Sequence, residues 1–128
     1  MRKVSILSVL ILIGCATTSY RPFDFNQNPC SKGTPCDSVC IDPVSLQPSV
    51  NPIHTGRGQV VHAWFTSGTD DLSITSDAFE STGHEKGHAW GRVKKDARIT
   101  DPNHPPYKYT IHNLTTKRDN DPDIMVDY

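Results

Sequence analysis

The sequence predicts an all-β fold, a small antiparallel β-sandwich carried behind an extended, Pro-rich arm. Three observations lead there. The chain has 128 residues, enough for one packed core and a tether. Short runs of β-branched and aromatic residues alternate with Gly and Asp-Pro turns, and no helical period lasts ten residues. Six of the ten prolines lie between Pro22 and Pro52, which marks that stretch as outside the core.

The folded unit is expected over residues 53–128, which hold both tryptophans and all six histidines. Its first strand is Gln59-Val60-Val61-His62-Ala63-Trp64-Phe65-Thr66. The turn residues Gly68-Thr69-Asp70-Asp71 then lead to Leu72 and Ile74, which reads as a hairpin. His88–Val93 and Ala97–Thr100 continue the series. Tyr107–Leu114 follows, with Tyr107, Tyr109 and Ile111 on one face, and Ile124-Met125-Val126 closes it. Strands this short and this regularly spaced fit a sandwich or barrel.

Tyr107-Lys108-Tyr109-Thr110-Ile111, followed by Asp121-Pro122-Asp123-Ile124-Met125-Val126, resembles the end of small uncharacterised bacterial β-sandwich proteins. Over about the last sixty residues the resemblance implies an immunoglobulin-like or cupredoxin-like sandwich, and it carries over no activity and no catalytic residue.

Arg2 and Lys3 precede an apolar run from Val4 to Ile13. Ten helical residues rise about 15 Å, half the hydrocarbon core of a bilayer, so the run has the length of a secretion signal rather than of a membrane span. Leu12-Ile13-Gly14-Cys15 resembles the lipobox of bacterial lipoprotein precursors. The resemblance implies a signal peptide over residues 1–14, cleavage before Cys15, and lipidation there by diacylglyceryl and further acyl (palmitate-type) chains, which together anchor a protein durably. Ala16 stands where an aspartate would retain such a protein at an inner membrane. The expected location is therefore the bacterial cell envelope, leaning to the outer membrane and facing the periplasm or the surface. Loss of residues 1–14 leaves 11 basic against 14 acidic residues, a net charge of -3, with no basic excess for nucleic acid.

Residues 15–52 read as the tether, stiffened by its prolines. Tyr20, Phe23 and Phe25 would lie in the headgroup layer, on a partner, or on the domain itself. Cys30, Cys36 and Cys40 are disulfide candidates, because an exported compartment is oxidising. Either Cys30–Cys36 or Cys30–Cys40 closes a small loop around Gly33-Thr34-Pro35, leaving one thiol over. The spacings do not match the C-x2-C knuckles of zinc modules.

The one literal chemical motif is His84-Glu85-Lys86-Gly87-His88, an H-E-x-x-H. Zinc peptidases need it on a helix, where the two histidines share a face and the glutamate serves as base for zinc-bound water. Gly83, Gly87 and Gly91 each cost a helix about 1 kcal/mol against Ala, and Lys94 stands where a third ligand would follow. The expectation is a solvated Gly-rich turn. His84 and His88 are retained as candidate ligands of a transition metal, zinc included, and a zinc-dependent hydrolase is the alternative.

Blue copper is disfavoured because every exported cysteine precedes residue 41. Asp119, Asp121 and Asp123 open like a calcium loop, but Ile124 replaces its glycine. No catalytic residue is assigned and no cofactor is required. The expected protein is a non-enzymatic binding or structural module that meets the membrane through its anchor and an envelope partner through a sheet face or edge. Trp64, Trp90, Tyr107 and Tyr109 are its candidate anchors.

Overall fold

The computed structural model describes Cys30 and residues 38–128. The described residues form strands β1 (Ser38–Ile41), β2 (Ile53–Thr55), β3 (Val60–Phe65), β4 (Leu72–Ser76), β5 (Phe79–Glu85), β6 (His88–Val93), β7 (Tyr107–Asn113), β8 (Arg118–Asn120) and β9 (Asp123–Val126). One sheet has the order β1-β3-β6-β5; the other runs β2-β9-β7-β4, with β8 also paired to β7. The fold is an all-β sandwich.

Its strands are of mixed orientation rather than purely antiparallel: β1 runs parallel to β3, and β2 parallel to β9. Between β1 and β3 the chain crosses to the second sheet to form β2 and then returns. A parallel pair needs such a crossover.

Alternation builds the core. Val39 and Ile41 of β1, Val61, Ala63 and Phe65 of β3, and Ala89 and Val93 of β6 face inward from the first sheet. From the second come Leu72 and Ile74 of β4, Tyr109 and Ile111 of β7, and Ile124 and Val126 of β9. Burial of these side chains from both sheets is the dominant favourable term in holding the layers together.

Three expectations are corrected. The folded unit begins by Ser38 rather than at 53: β1 is an integral strand, and Leu46, at φ 59°, is buried in the core. The apolar residues of that stretch are few and are spaced among prolines, so composition hides them. Residues 59–66 and 72–74 do not make a hairpin, because β3 pairs with β1 and β6 while β4 pairs with β7 in the other sheet. A turn that crosses between layers carries the same residues as one that joins neighbours. Ala97–Thr100 is not a strand. Arg57 Nε donates to Ala97 O at 2.7 Å and Arg98 N donates to the Tyr107 hydroxyl at 2.8 Å, so side chains take the place of a ladder there, while Thr100 N donates to a strand, at Val126 O.

Candidate functional site

The H-E-x-x-H residues lie on the β5–β6 hairpin, which turns at Lys86 and Gly87. Gly87 takes φ +72°, a conformation that favours glycine. Across the hairpin Glu85 pairs with His88, and His84 pairs with Ala89. Neighbouring pairs point to opposite faces of a sheet, so His84 and His88 are directed apart. The structure does not bring these two candidate ligands together, and the one-face geometry of a zinc peptidase is absent.

His88 meets a different histidine. On β3, His62 and Trp64 point away from the core; opposite them on β6 stand Trp90 and His88 respectively. The tripeptide His-Ala-Trp occurs twice, at 62–64 and 88–90, and the two copies pair antiparallel about Ala63 and Ala89. This gives the outer face a local two-fold arrangement, with the two histidines on one diagonal and the two tryptophans on the other. Long side chains reach each other across such a diagonal.

Here the histidines do so, with His62 Nδ1 3.0 Å from His88 Nε2. The rings are within 9° of parallel with centroids 5.3 Å apart, so the two nitrogens face each other nearly head-on. His88 Nδ1 lies 3.1 Å from Glu85 Oε1. The carboxylate only accepts, so His88 donates from Nδ1 and its Nε2 accepts from the Nδ1–H of His62. Glu85, His88 and His62 form one directed line, with both imidazoles neutral.

Burial keeps them so. His88 is 3% exposed and Trp64 is 5% exposed, with the Trp64 ring stacked on His88 at 3.8 Å. Desolvation, and secondarily the charge of His88, pushes His62 down to about 4. Desolvation also lowers His88, against the opposing pull of Glu85.

Cys40 of β1 stands opposite Trp64, and its disulfide holds Cys30 beside it. The Cys30–Cys40 bridge is one of the two expected closures. Cys36, Cys15 with its lipobox, and Tyr20, Phe23 and Phe25 lie outside the described residues.

Trp90 lies flat over Gly83, where an added Cβ would fall 2.0 Å from its Cζ2. Gly91 lies under Phe79 in the same way. Of the four candidate anchors, Trp64 and Tyr109 are buried, leaving Trp90 and Tyr107 partly accessible.

A second polar line crosses the open face of the other sheet. The Thr75 hydroxyl lies 3.0 Å from His112 Nε2, and His112 Nδ1 lies 2.8 Å from Asp119 Oδ1. It borders a shallow hollow of about 310 Å³ lined by Thr75, Ser76, Asp77, Lys108 and Thr110. Asp123 pairs with Lys108 Nζ at 2.6 Å. Two of the three alternating aspartates thus brace strands instead of converging as a calcium loop. His54 and His104 each pair with an aspartate at the surface, Asp127 and Asp101.

The repeated His-Ala-Trp is the signal that sequence reasoning passed over. Two identical tripeptides on neighbouring antiparallel strands set His62 diagonal to His88, whereas the H-E-x-x-H spacing drew attention to His84. No family model, no curated protein and no solved structure matches the chain.

Proposed function

We propose that this chain is a lipid-anchored protein of the bacterial cell envelope whose β-sandwich is a non-enzymatic binding or structural module. Cys15, at the end of Leu12-Ile13-Gly14-Cys15, is the lipidated residue, and Ala16 favours the outer membrane. The observation that carries the reading is the Cys30–Cys40 disulfide, which ties the arm to the first strand of the domain. Such a bridge persists in an oxidising compartment, where a secretion signal would deliver the chain. Residues 38–41 of the expected tether form a strand of the sandwich, and the disulfide fastens Cys30 to that strand. Its sheet edges and the partly accessible Trp90 are the surfaces on which an envelope partner would dock.

The test is expression in a bacterial host fed a labelled palmitate analogue. The wild-type chain should take up label and sediment with membranes, and Cys15→Ala should do neither. Unchanged labelling of Cys15→Ala would refute the anchor.

A further inference from the structure

We infer that His62 and His88 form a two-coordinate site for a cuprous ion, held between His62 Nδ1 and His88 Nε2. Several independent features of the outer face favour it. The two nitrogens already face each other at 3.0 Å, and with metal–nitrogen bonds of about 2 Å a collinear pair has to open by about 1 Å. The histidines are on different strands and diagonal to one another, so side-chain rotation supplies that movement without breaking the β3–β6 ladder. The line from His62 through His88 to Glu85 is one that neutral imidazoles make by donating from Nδ1, and neutral imidazole is the ligating form. His62 binds through Nδ1 once its proton has moved to Nε2, so uptake releases no net proton.

Glu85 accepts from His88 Nδ1 at 3.1 Å, the carboxylate–imidazole arrangement that fixes the tautomer and raises the basicity of a metal-bound histidine. His88 and Trp64 are buried, so the His88 side of the pair leaves little room for the waters that zinc would need to complete a tetrahedron. Two head-on nitrogen donors, one of them on a buried ring stacked against Trp64, suit a monovalent d¹⁰ ion that accepts linear coordination. Imidazole is a good ligand for copper, and Cys40 beside the site is held in its disulfide. This inference stands apart from the lipid anchor and survives its failure.

The test uses the full chain purified in detergent under argon and titrated with ascorbate-generated cuprous ion against a bicinchoninate competitor. One ion should bind per chain, with quenching of tryptophan emission, because Trp64 lies 3.8 Å from the His88 ring. His62→Gln should weaken binding more than about 100-fold and Glu85→Gln about 10- to 100-fold, while His84→Gln should leave it unchanged. X-ray absorption on the wild-type complex should show two nitrogen neighbours at about 2 Å, which reads the site even if His62→Gln misfolds. No stoichiometric uptake, affinity indifferent to His62→Gln in a folded variant, sulfur or four-fold coordination, or equally tight zinc at the same histidines would each overturn it.

Discussion

Gly83→Ala offers a prediction in which sequence and structure disagree in sign. In a strand, glycine costs roughly 0.5–1 kcal/mol relative to alanine through its greater loss of backbone freedom. On sequence alone, replacing a glycine in the hairpin should therefore stabilise the protein. The structure argues the reverse: the new Cβ would fall 2.0 Å from Cζ2 and 2.3 Å from Cε2 of Trp90, so the indole has to swing away. A buried aromatic covers about 150–250 Å², and the face lying on Gly83 is roughly half of that. Re-exposing about 100 Å² at about 25 cal/mol/Å² costs about 2.5 kcal/mol. Set against the backbone gain, a net loss of about 1.5–2 kcal/mol is expected.

Urea unfolding followed by circular dichroism measures the difference. The double-mutant cycle with Trp90→Ala isolates its cause, because without the indole Gly83→Ala should be neutral or stabilising. A single variant as stable as wild type, or the same loss in both backgrounds, would refute the account of Trp90 packed on Gly83.

Further outcomes follow from other buried groups. Tyr109→Phe should be neutral or slightly stabilising by thermal melt, because among the described residues its buried hydroxyl has no hydrogen-bond partner. Asn113→Ala should cost about 2–4 kcal/mol in urea unfolding: its buried amide donates to Pro43 O and Asp70 Oδ2 and accepts from the amides of Thr115 and Thr116. Reduction of Cys30–Cys40, which spans a sequence separation of 10, should cost about 2.7 kcal/mol by the loop-entropy relation, read as the shift in urea midpoint with and without reductant. Stability should also fall with acid: His62 is held near 4 while the unfolded chain takes its proton near 6.5, so the contribution is complete above about pH 6.5 and is lost as pH falls towards 4. The full shift corresponds to about 3 kcal/mol, or about 1–2 kcal/mol for a ring that is only partly buried, and His62→Gln should flatten the pH dependence of the urea midpoint across that window.

The strands were legible where apolar residues keep a strict period of two. Val61, Ala63 and Phe65 in β3, and Tyr109 and Ile111 in β7, declare both the strand and its inward face. Pairing was not legible, because the residues after Phe65 carry turn chemistry that serves equally for a hairpin and for a step between sheets. Nor was β1, whose buried residues sit among the prolines of an apparent tether. The site failed for a related reason. H-E-x-x-H is a helical spacing, and on a strand residues an even number apart share a face only while the register is unbroken. The turn at Lys86 and Gly87 breaks it, sending His84 one way and His88 the other.

The three glycines of that segment show how one sequence feature resolves into separate physical demands. As helix residues Gly83, Gly87 and Gly91 are simply penalties, and that inference correctly removed the peptidase geometry. In the hairpin Gly87 supplies the positive φ of the turn, Gly83 makes room for Trp90 on the outer face, and Gly91 makes room for Phe79 on the core side. Gly83, across from Trp90 on β5, lets the indole lie flat beside His88, 34° from its plane at 5.3 Å. The histidine pair is thus walled by Trp64 stacked above one ring and Trp90 tilted beside it, an enclosure that requires glycine at position 83. Gly83→Ala therefore tests the site as well as the fold: if Trp90 leaves, His88 gains water, its desolvation weakens, and the acid sensitivity of the protein should shrink together with its stability.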